Sequence, residues 1–197
     1  MMSNIYVNLK TTESSDAGNH YLANNSVNIK DATIKLTQFY NNGTVLMGTG
    51  LVNVTGALTP AATITAPVSA NFFKTANKWT ESNPYSYRVV PQILYRGSEP
   101  NPDNDNVRSN FIGLEITTQT PDDNQYYVIK DLSKIKVTNV QPSNSNHTQN
   151  QEIKRWYPGH KYIYTITISK KGIEAITCTV VDWINVYGEN INIDLEN

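Results

Sequence analysis

The sequence predicts an all-β protein, an antiparallel β-sandwich with few or no helices, and three observations predict it. Apolar and polar residues alternate with a period of two in many short stretches, as in strands with one buried face. No stretch has the 3.6-residue apolar period of an amphipathic helix. Turn-forming residues separate the alternating stretches every ~8–15 residues, so the chain divides into about ten short strands, as β-sandwiches do.

Two strand regions open the chain. The first strand is predicted by three apolar residues that alternate with polar ones, Ile5, Val7 and Leu9. Residues 27–54 predict a β-hairpin whose turn is the Asn-Asn-Gly stretch at residues 41–43, because Asn and Gly tolerate the positive φ of a tight turn. Residues 55–84 are rich in Ala, Thr and Pro, and they predict a long connection with one short strand near residues 62–66.

The middle of the chain predicts further strands and a surface loop. Residues 85–95 predict a strand that contains Pro91, and it is an edge strand or bulges there because proline donates no ladder hydrogen bond. Residues 111–130 predict a second hairpin, and residues 132–140 predict another strand. The Asn- and Ser-rich residues 141–151 predict a long surface loop within one domain.

The most regular alternation lies in RWYPGHKYIYTITISKKGIEAITCTVVDW, residues 155–183. It predicts a long hairpin that turns at residues 170–172 and has one apolar face. That face carries Tyr162, Tyr164, Ile166, Ile168, Ile176, Cys178 and Val180. Asp182 continues it, so we expect the carboxylate to accept hydrogen bonds at a sandwich corner, with Trp183 on the opposite face. A last short strand is predicted at residues 191–197.

Composition and charge exclude several function classes. The formal net charge is -1, so no electrostatic argument favours nucleic acid or an anionic membrane as a partner. No apolar run approaches the ~18 residues of a membrane helix, and we expect no direct membrane insertion. Cys178 is the single cysteine, so no intrachain disulfide forms. Its place between aliphatic residues of one strand face predicts a small buried core residue.

Candidate catalytic and metal-ligating residues form no recognisable pattern. The chain has three histidines in loop-like sequence, His20, His147 and His160. Their spacing fits no zinc site, and their surroundings predict exposed side chains. Asp103 and Asp105 begin like a calcium loop, but Val107 and Arg108 replace a ligand and the turn glycine. We therefore expect a protein that is not an enzyme and that uses no metal or other cofactor.

Aromatic residues leave a second function open. Trp79 and Tyr85 lie at the least regular part of the sequence, near Tyr87 and Tyr95. Exposed aromatic platforms bind sugars in many β-sandwich modules, so a carbohydrate-binding surface module, with Trp79 and Tyr85 as glycan contacts, is the alternative function. The strand-like spacing of the tyrosines favours packing within a sheet instead.

Two motifs resemble a known protein family. The first is W-Y-P-G-x-K-Y-x-Y, then a hairpin turn, then V-V-D-W, and it is carried by Trp156, Pro158, Gly159, Tyr162, Tyr164, Asp182 and Trp183. The second is YRVVPQILY at residues 87–95. Their order and spacing resemble the C-terminal region of the Bacteroidales fimbrillin-like (FimA/Mfa-like) fimbrial subunits, over roughly residues 85–185.

The resemblance implies a transthyretin-like β-sandwich and a non-catalytic subunit of a fimbria that acts in cell adhesion. Proteins of this family are exported as lipoproteins, trimmed, and polymerised by donor-strand insertion. The implied partners are other fimbrial subunits, with host glycans or proteins as ligands, and the implied location is the fimbrium at the outer membrane surface. Residues 1–197 are then one sandwich domain, the C-terminal domain or a trimmed form of a longer chain.

Donor-strand insertion has a physical basis that points to two segments. A sandwich that lacks a strand exposes unpaired backbone groups and an apolar groove, and an alternating segment of a neighbour fills both. Two terminal segments have this alternation, Ile5, Val7 and Leu9 in one, and Ile191, Ile193 and Leu195 in the other. The alternative is that each segment is an ordinary strand of its own sandwich.

Overall fold

The computed structural model describes residues 2–11, 28–45, 52–64, 85–94, 111–119, 124–141, 146–169 and 171–182. Their strands are β1 (Ser3–Thr11), β2 (Asn28–Val45), β3 (Val52–Ile64), β4 (Tyr85–Val89), β5 (Gly113–Gln119), β6 (Asn124–Ile129), β7 (Val137–Gln141), β8 (His160–Ser169) and β9 (Gly172–Asp182). A 3-10 helix at Leu132–Lys134 precedes β7. In this part of the chain no helix has the length and apolar character needed to cross a membrane.

The strands form two sheets, which confirms the predicted all-β sandwich. One sheet has five strands in the order β4-β1-β8-β9-β7, and the other has four in the order β3-β2-β5-β6. The four-stranded sheet is antiparallel throughout. The five-stranded sheet is mixed, because β1 pairs in parallel with β8 and β7 with β9. The predicted antiparallel pairing is corrected for these two strand pairs only, since side-chain alternation does not reveal the direction of pairing.

The core lies between the two sheets and collects every second residue of the central strands. The five-stranded sheet contributes Ile5, Val7, Leu9, Tyr162, Tyr164, Ile166, Ile168, Cys178 and Val180. The four-stranded sheet contributes Ile34, Leu36, Phe39, Leu114, Ile116, Tyr127 and Ile129. Each such side chain contributes about 1.5–3 kcal/mol when it leaves water. Apolar packing thus holds the sheets together, and Cys178 is a buried free thiol.

The first hairpin is longer than predicted, and its turn lies elsewhere. Asn42 pairs with Thr55 and Gly43 with Val54, so residues 41–43 belong to β2 rather than to a turn. The pairing continues to Val45 and Val52, and residues 55–64 belong to β3 rather than to a connection. Residues 41–44 are exposed, which explains a turn-like composition in extended backbone.

Other elements match the predictions more closely. The second hairpin is confirmed, because β5 and β6 pair from Leu114↔Ile129 to Gln119↔Asn124. β4 is an edge strand and ends before Pro91. Residues 132–140, predicted as one strand, begin instead with the 3-10 helix. Asp131 caps this helix, because its Oδ1 accepts hydrogen bonds from Ser133 N and Oγ at 2.9 and 2.6 Å.

Candidate functional site

Strand β1 fills the place between β4 and β8 in the five-stranded sheet. It pairs antiparallel with β4 from Ser3↔Val89 to Val7↔Tyr85. On its other side it pairs in parallel with β8 from Asn4↔Lys161 to Thr11↔Ile168. β4 therefore joins the sheet through β1, and neither neighbour is connected to β1 by a tight turn. We call the place between β4 and β8 the β1 slot.

The inward side chains of β1 complete the core of the slot. Ile5 and Val7 are 0% exposed and Leu9 is 2% exposed. Their register partners on β8 are Tyr162, Tyr164 and Ile166, which are all buried. The structure thus places these three candidate exchange residues in a strand of their own chain. Their exchange between chains stays a prediction, and Ile191, Ile193 and Leu195 lie outside the described residues.

The outward face of β1 is polar and also largely covered. Asn4 and Asn8 are buried, and Asn4 Nδ2 donates a hydrogen bond to Tyr6 Oη at 2.9 Å. The Lys161 ammonium lies 5.4 Å from the centre of the Tyr6 ring, within reach of a cation–π interaction. The strand is therefore held on both faces as well as on both edges.

The corner formed by Tyr157, Pro158 and Gly159 anchors the start of β1. Ser3 Oγ donates to the Tyr157 carbonyl at 2.7 Å, and Gly159 N donates to the Met2 carbonyl at 3.0 Å. Gly159 has φ 73°, a left-handed conformation that glycine adopts without a steric penalty. This corner leads the chain into β8 and fixes the end of the slot.

Behind the corner lies a buried aromatic cluster. Trp156, Tyr162 and Tyr164 are completely buried, and Trp156 Nε1 donates to Tyr164 Oη at 3.0 Å. Tyr157 N donates to Tyr162 Oη at 2.7 Å. Burial raises the pKa of both Tyr162 and Tyr164 well above the ordinary value, so both hydroxyls stay protonated. Five of the seven family-motif residues therefore meet at this end of the sandwich.

The structure describes the remaining motif residues only in part. Asp182 pairs in register with His160 at the open end of the β8–β9 hairpin, and its predicted hydrogen bonds stay a prediction. Trp183 lies outside the described residues, as do Trp79 and His20. Tyr85 belongs to β4 and pairs with Val7, and its predicted contact with glycans stays a prediction.

Gln92 connects the motif at residues 87–95 with the motif that begins at Trp156. This role was not predicted from the sequence. Its Nε2 donates to the carbonyls of Tyr40 and Val90 at 2.9 Å each, and its Oε1 accepts from Tyr40 N at 2.8 Å. The side-chain amide thus bonds to β2 of the other sheet as a strand backbone does. The Gln92 carbonyl also accepts from Trp156 N at 2.9 Å. The signal in the sequence that could have indicated this role is a polar residue directly after Pro91, where the predicted strand is interrupted.

The prediction of exposed loop histidines is wrong for His147 and His160. They are 9% and 6% exposed, and their ring centres are 5.9 Å apart. His147 Nε2 and Tyr162 Oη share a hydrogen bond of 2.8 Å. His160 Nδ1 donates to the Pro158 carbonyl at 2.7 Å, because a carbonyl can only accept. The polar sequence around His147 concealed a side chain that returns to the aromatic cluster.

His147 makes the stability of the fold depend on pH. Burial, with the neighbouring His160 as a smaller cause, lowers the pKa of His147 from 6.5 to about 4. Between these two values the unfolded chain binds a proton that the folded protein does not. The free energy of unfolding therefore falls as the pH falls through this window.

Between pH 7 and pH 4.5 we expect the free energy of unfolding of wild type to fall by about 2 kcal/mol more than that of His147→Asn. This value is smaller than the free energy that corresponds to the full pKa difference, because solvent screens part of the charge. Asparagine removes the titrating group and adds no charge. Urea unfolding at both pH values measures the difference, and equal losses in the two proteins would contradict it.

Reactive groups near the site are few. Burial strongly raises the pKa of the Cys178 thiol, which therefore stays protonated and acts as the predicted core residue rather than as a nucleophile. Within the residues that the structure describes, no group of three His, Cys, Asp or Glu side chains could hold a metal ion. The arrangement positions strands and corners, and its hydrogen bonds join polar side chains to backbone or to other side chains. Within the described residues, Asn4 Oδ1 and Asn8 Nδ2 on β1 are buried without a hydrogen-bond partner.

Comparison with known proteins yields structural matches only. No family model and no curated protein sequence matches the chain. A crystal structure described as that of a "putative cell adhesion protein" from Bacteroides uniformis is 18% identical, with a TM-score of 0.50 over 92% of this chain and 50% of that chain. A second, described in the same words and from Bacteroides ovatus, is 18% identical, with a TM-score of 0.43 over 92% and 45%.

The chain thus spans about half the length of these two solved structures. At this identity, the likeness to the Bacteroides uniformis protein shows a shared fold.

Proposed function

We propose that this chain is a non-catalytic structural subunit of a cell-surface fimbria that acts in cell adhesion and assembles by donor-strand insertion. Its partners are other fimbrial subunits, and host glycans or proteins are its ligands. Residues 1–197 form one sandwich domain, the C-terminal domain or a trimmed form of a longer fimbrillin-like chain, located at the outer membrane surface. The protein has no enzyme activity and needs no cofactor.

The observation that carries this proposal is the place of β1. A strand that is joined to its neighbour by a tight turn cannot leave the sheet alone. β1 has no such connection to β4 or β8, so an equivalent segment of another chain can replace it without breaking a hairpin. The same replacement restores the backbone pairs and the apolar contacts of Ile5, Val7 and Leu9.

Two further observations support the proposal. The motif residues that resemble the fimbrillin-like family lie beside the β1 slot, where Tyr157 accepts a hydrogen bond from Ser3 of β1 and Gly159 donates one to Met2 just before β1. The fold is shared with a Bacteroides protein described as a putative cell adhesion protein. A second segment, residues 189–197, has the same alternation in its sequence and is the competing donor.

Electron microscopy of cells with and without the gene tests the surface role. We expect filaments that depend on the protein and that antibodies against it label along their length. Filaments that persist unchanged without the gene, or cells whose protein stays unassembled, would overturn the proposal.

Truncation of residues 189–197 then separates the two donor segments. If β1 is the exchanged strand, the truncated protein still folds and still forms oligomers. If the C-terminal segment is the donor, the oligomers disappear while the monomer keeps its circular dichroism spectrum. Size-exclusion chromatography with light scattering distinguishes these results.

A further inference from the structure

Two of the three large apolar side chains that the described residues expose lie on the outer face of the four-stranded sheet. Tyr126 is 59% exposed and Val128 is 41% exposed, and the third, Met2, lies just before β1. Tyr126 and Val128 alternate along β6 with Tyr127 and Ile129, which belong to the core. An exposed aromatic ring beside an exposed aliphatic side chain marks a surface that is worth testing for a ligand.

Polar residues of the neighbouring strands lie beside these two side chains, because opposed residues of adjacent strands share one face of a sheet. The register across β2, β5 and β6 forms two rows of three residues each. One row is Lys35, Glu115 and Val128, and the other is Thr33, Thr117 and Tyr126. The two residues on β2 are exposed, and the two on β5 are half-buried. We call these six residues the Tyr126 face.

A hydrogen bond sets the direction of the Tyr126 side chain. Its hydroxyl bonds to the carboxylate of Glu115, although its register partner on β5 is Thr117. The side chain therefore leans diagonally across β5, as long side chains can in an antiparallel sheet. Because the ring is held in this way before a ligand arrives, stacking on it costs little further conformational entropy.

We propose that the Tyr126 face binds an uncharged oligosaccharide, with a sugar ring stacked on Tyr126 and sugar hydroxyls hydrogen-bonded to Glu115 and Lys35. A sugar ring has an apolar face of C–H groups and a rim of hydroxyls that donate and accept hydrogen bonds. A carboxylate accepts, an ammonium donates, and the threonine hydroxyls do both. Two rows about 7 Å apart on strands about 5 Å apart offer a surface of the size of a disaccharide.

Charge and area favour this ligand over other occupants. Lys35 and Glu115 are direct cross-strand partners of opposite charge, so the six residues carry no net charge. They therefore give no electrostatic attraction to a sulfated or sialylated glycan or to a strongly charged protein. A stable protein interface buries about 800 Å² on each partner, and two exposed apolar side chains supply only a small part of that area. A small neutral ligand matches the face better than a second copy of the chain.

This inference rests on the proposed adhesion function, in which glycans are ligands, and it names the ligand class and the surface that binds it. The surface differs from the glycan contact predicted at Tyr85, because Tyr85 lies on β4 of the five-stranded sheet. The two contacts can therefore be tested separately.

Surface plasmon resonance of the full chain on immobilised neutral oligosaccharides of hexoses and N-acetylhexosamines, with sulfated and sialylated ones beside them, tests the inference. We expect wild type to bind a neutral oligosaccharide with a Kd on the order of 0.1–1 mM. Tyr126→Ala should weaken this binding about tenfold, the loss of one aromatic stacking contact. Tyr126→Phe keeps the ring and should stay within about threefold of wild type. Tyr85→Ala is the matched control, since it removes a tyrosine from the other sheet, and it should bind as wild type does.

Circular dichroism checks that each variant is folded. Wild type that binds no neutral oligosaccharide of the panel at about 1 mM overturns the inference. So does binding that Tyr126→Ala leaves unchanged, binding that only Tyr85→Ala weakens, or a preference for the sulfated or sialylated oligosaccharides. Self-association in sedimentation velocity that Tyr126→Ala abolishes would assign the face to a second copy and would overturn it as well.

Failure of this inference is distinct from failure of the proposed function, because electron microscopy detects filaments without any sugar. Filaments together with a chain that binds no oligosaccharide overturn the glycan assignment alone. Oligosaccharide binding by a chain that forms no filaments overturns the fimbrial role alone.

Discussion

Val7→Asp should leave most of the protein unfolded under native conditions. Val7 is completely buried at the middle of β1, opposite Tyr164 of β8 and Tyr85 of β4. The substitution removes apolar contacts and places a carboxylate among the apolar side chains of the described core. Such a change costs about 4 kcal/mol or more, a large part of the total stability of a domain.

Lys10→Asp is the control for this prediction. It introduces the same carboxylate on the same strand, but Lys10 faces outward and is partly exposed. We expect it to change the free energy of unfolding by about 0.5 kcal/mol or less. Urea unfolding followed by circular dichroism compares the two variants. Equal stability of Val7→Asp and wild type would show that β1 does not occupy the slot.

Trp156→Ala should lower the free energy of unfolding by about 3–5 kcal/mol. The indole is the largest of the completely buried side chains in the aromatic cluster, and its removal leaves a cavity beside Tyr162 and Tyr164. The Tyr164 hydroxyl also loses the donor that bonds to it. Because the backbone of Trp156 holds Gln92, we expect the loss to extend to the contact between the two sheets.

Trp156→Phe separates packing from hydrogen bonding at this position. Phenylalanine keeps most of the apolar volume but cannot donate to Tyr164, so we expect a loss of about 1–3 kcal/mol. The midpoint of urea unfolding at unchanged slope measures both variants. A loss for Trp156→Ala no larger than that for Trp156→Phe would contradict the packing role of the indole.

The sequence predicted the elements whose alternation is local. The β8–β9 hairpin follows from Tyr164, Ile166 and Ile168 alternating with the half-buried Thr165 and Thr167, and the structure confirms it. The turn at residues 41–43 was misplaced because Asn and Gly can also occupy an exposed extended strand. The parallel partners of β1 and β7 were not predictable, since pairing between distant segments leaves no local pattern.

The candidate site was predictable only in part for the same reason. Trp156, Pro158 and Gly159 were recognised as motif residues, but the hydrogen bonds of this corner, from Ser3 to Tyr157 and from Gly159 to Met2, join positions more than a hundred residues apart. The burial of His147 depends on a hydrogen bond to Tyr162, which no composition of its own loop could indicate. A side chain that hydrogen-bonds to distant backbone groups, as Gln92 does, can be recognised only once the structure shows how the two sheets pack.

Disulfide trapping between β1 and β8 tests the exchange of β1 most directly. Lys10 and Thr167 are register partners across the parallel pair, and both are partly exposed. Adjacent strands set Cα atoms at a separation that a disulfide can span. Cysteines at both positions should therefore link whichever two segments are paired, while the buried Cys178 thiol stays unreactive.

The double variant Lys10→Cys, Thr167→Cys is oxidised in assembled filaments and analysed by non-reducing electrophoresis. A matched pair within the β8–β9 hairpin, Thr165→Cys with Thr177→Cys, reports links inside one chain. Strand exchange at β1 predicts a ladder of covalent multimers for the first pair and monomers for the second. Assembled filaments in which the first pair also yields only internally linked monomers would contradict exchange of β1 between subunits.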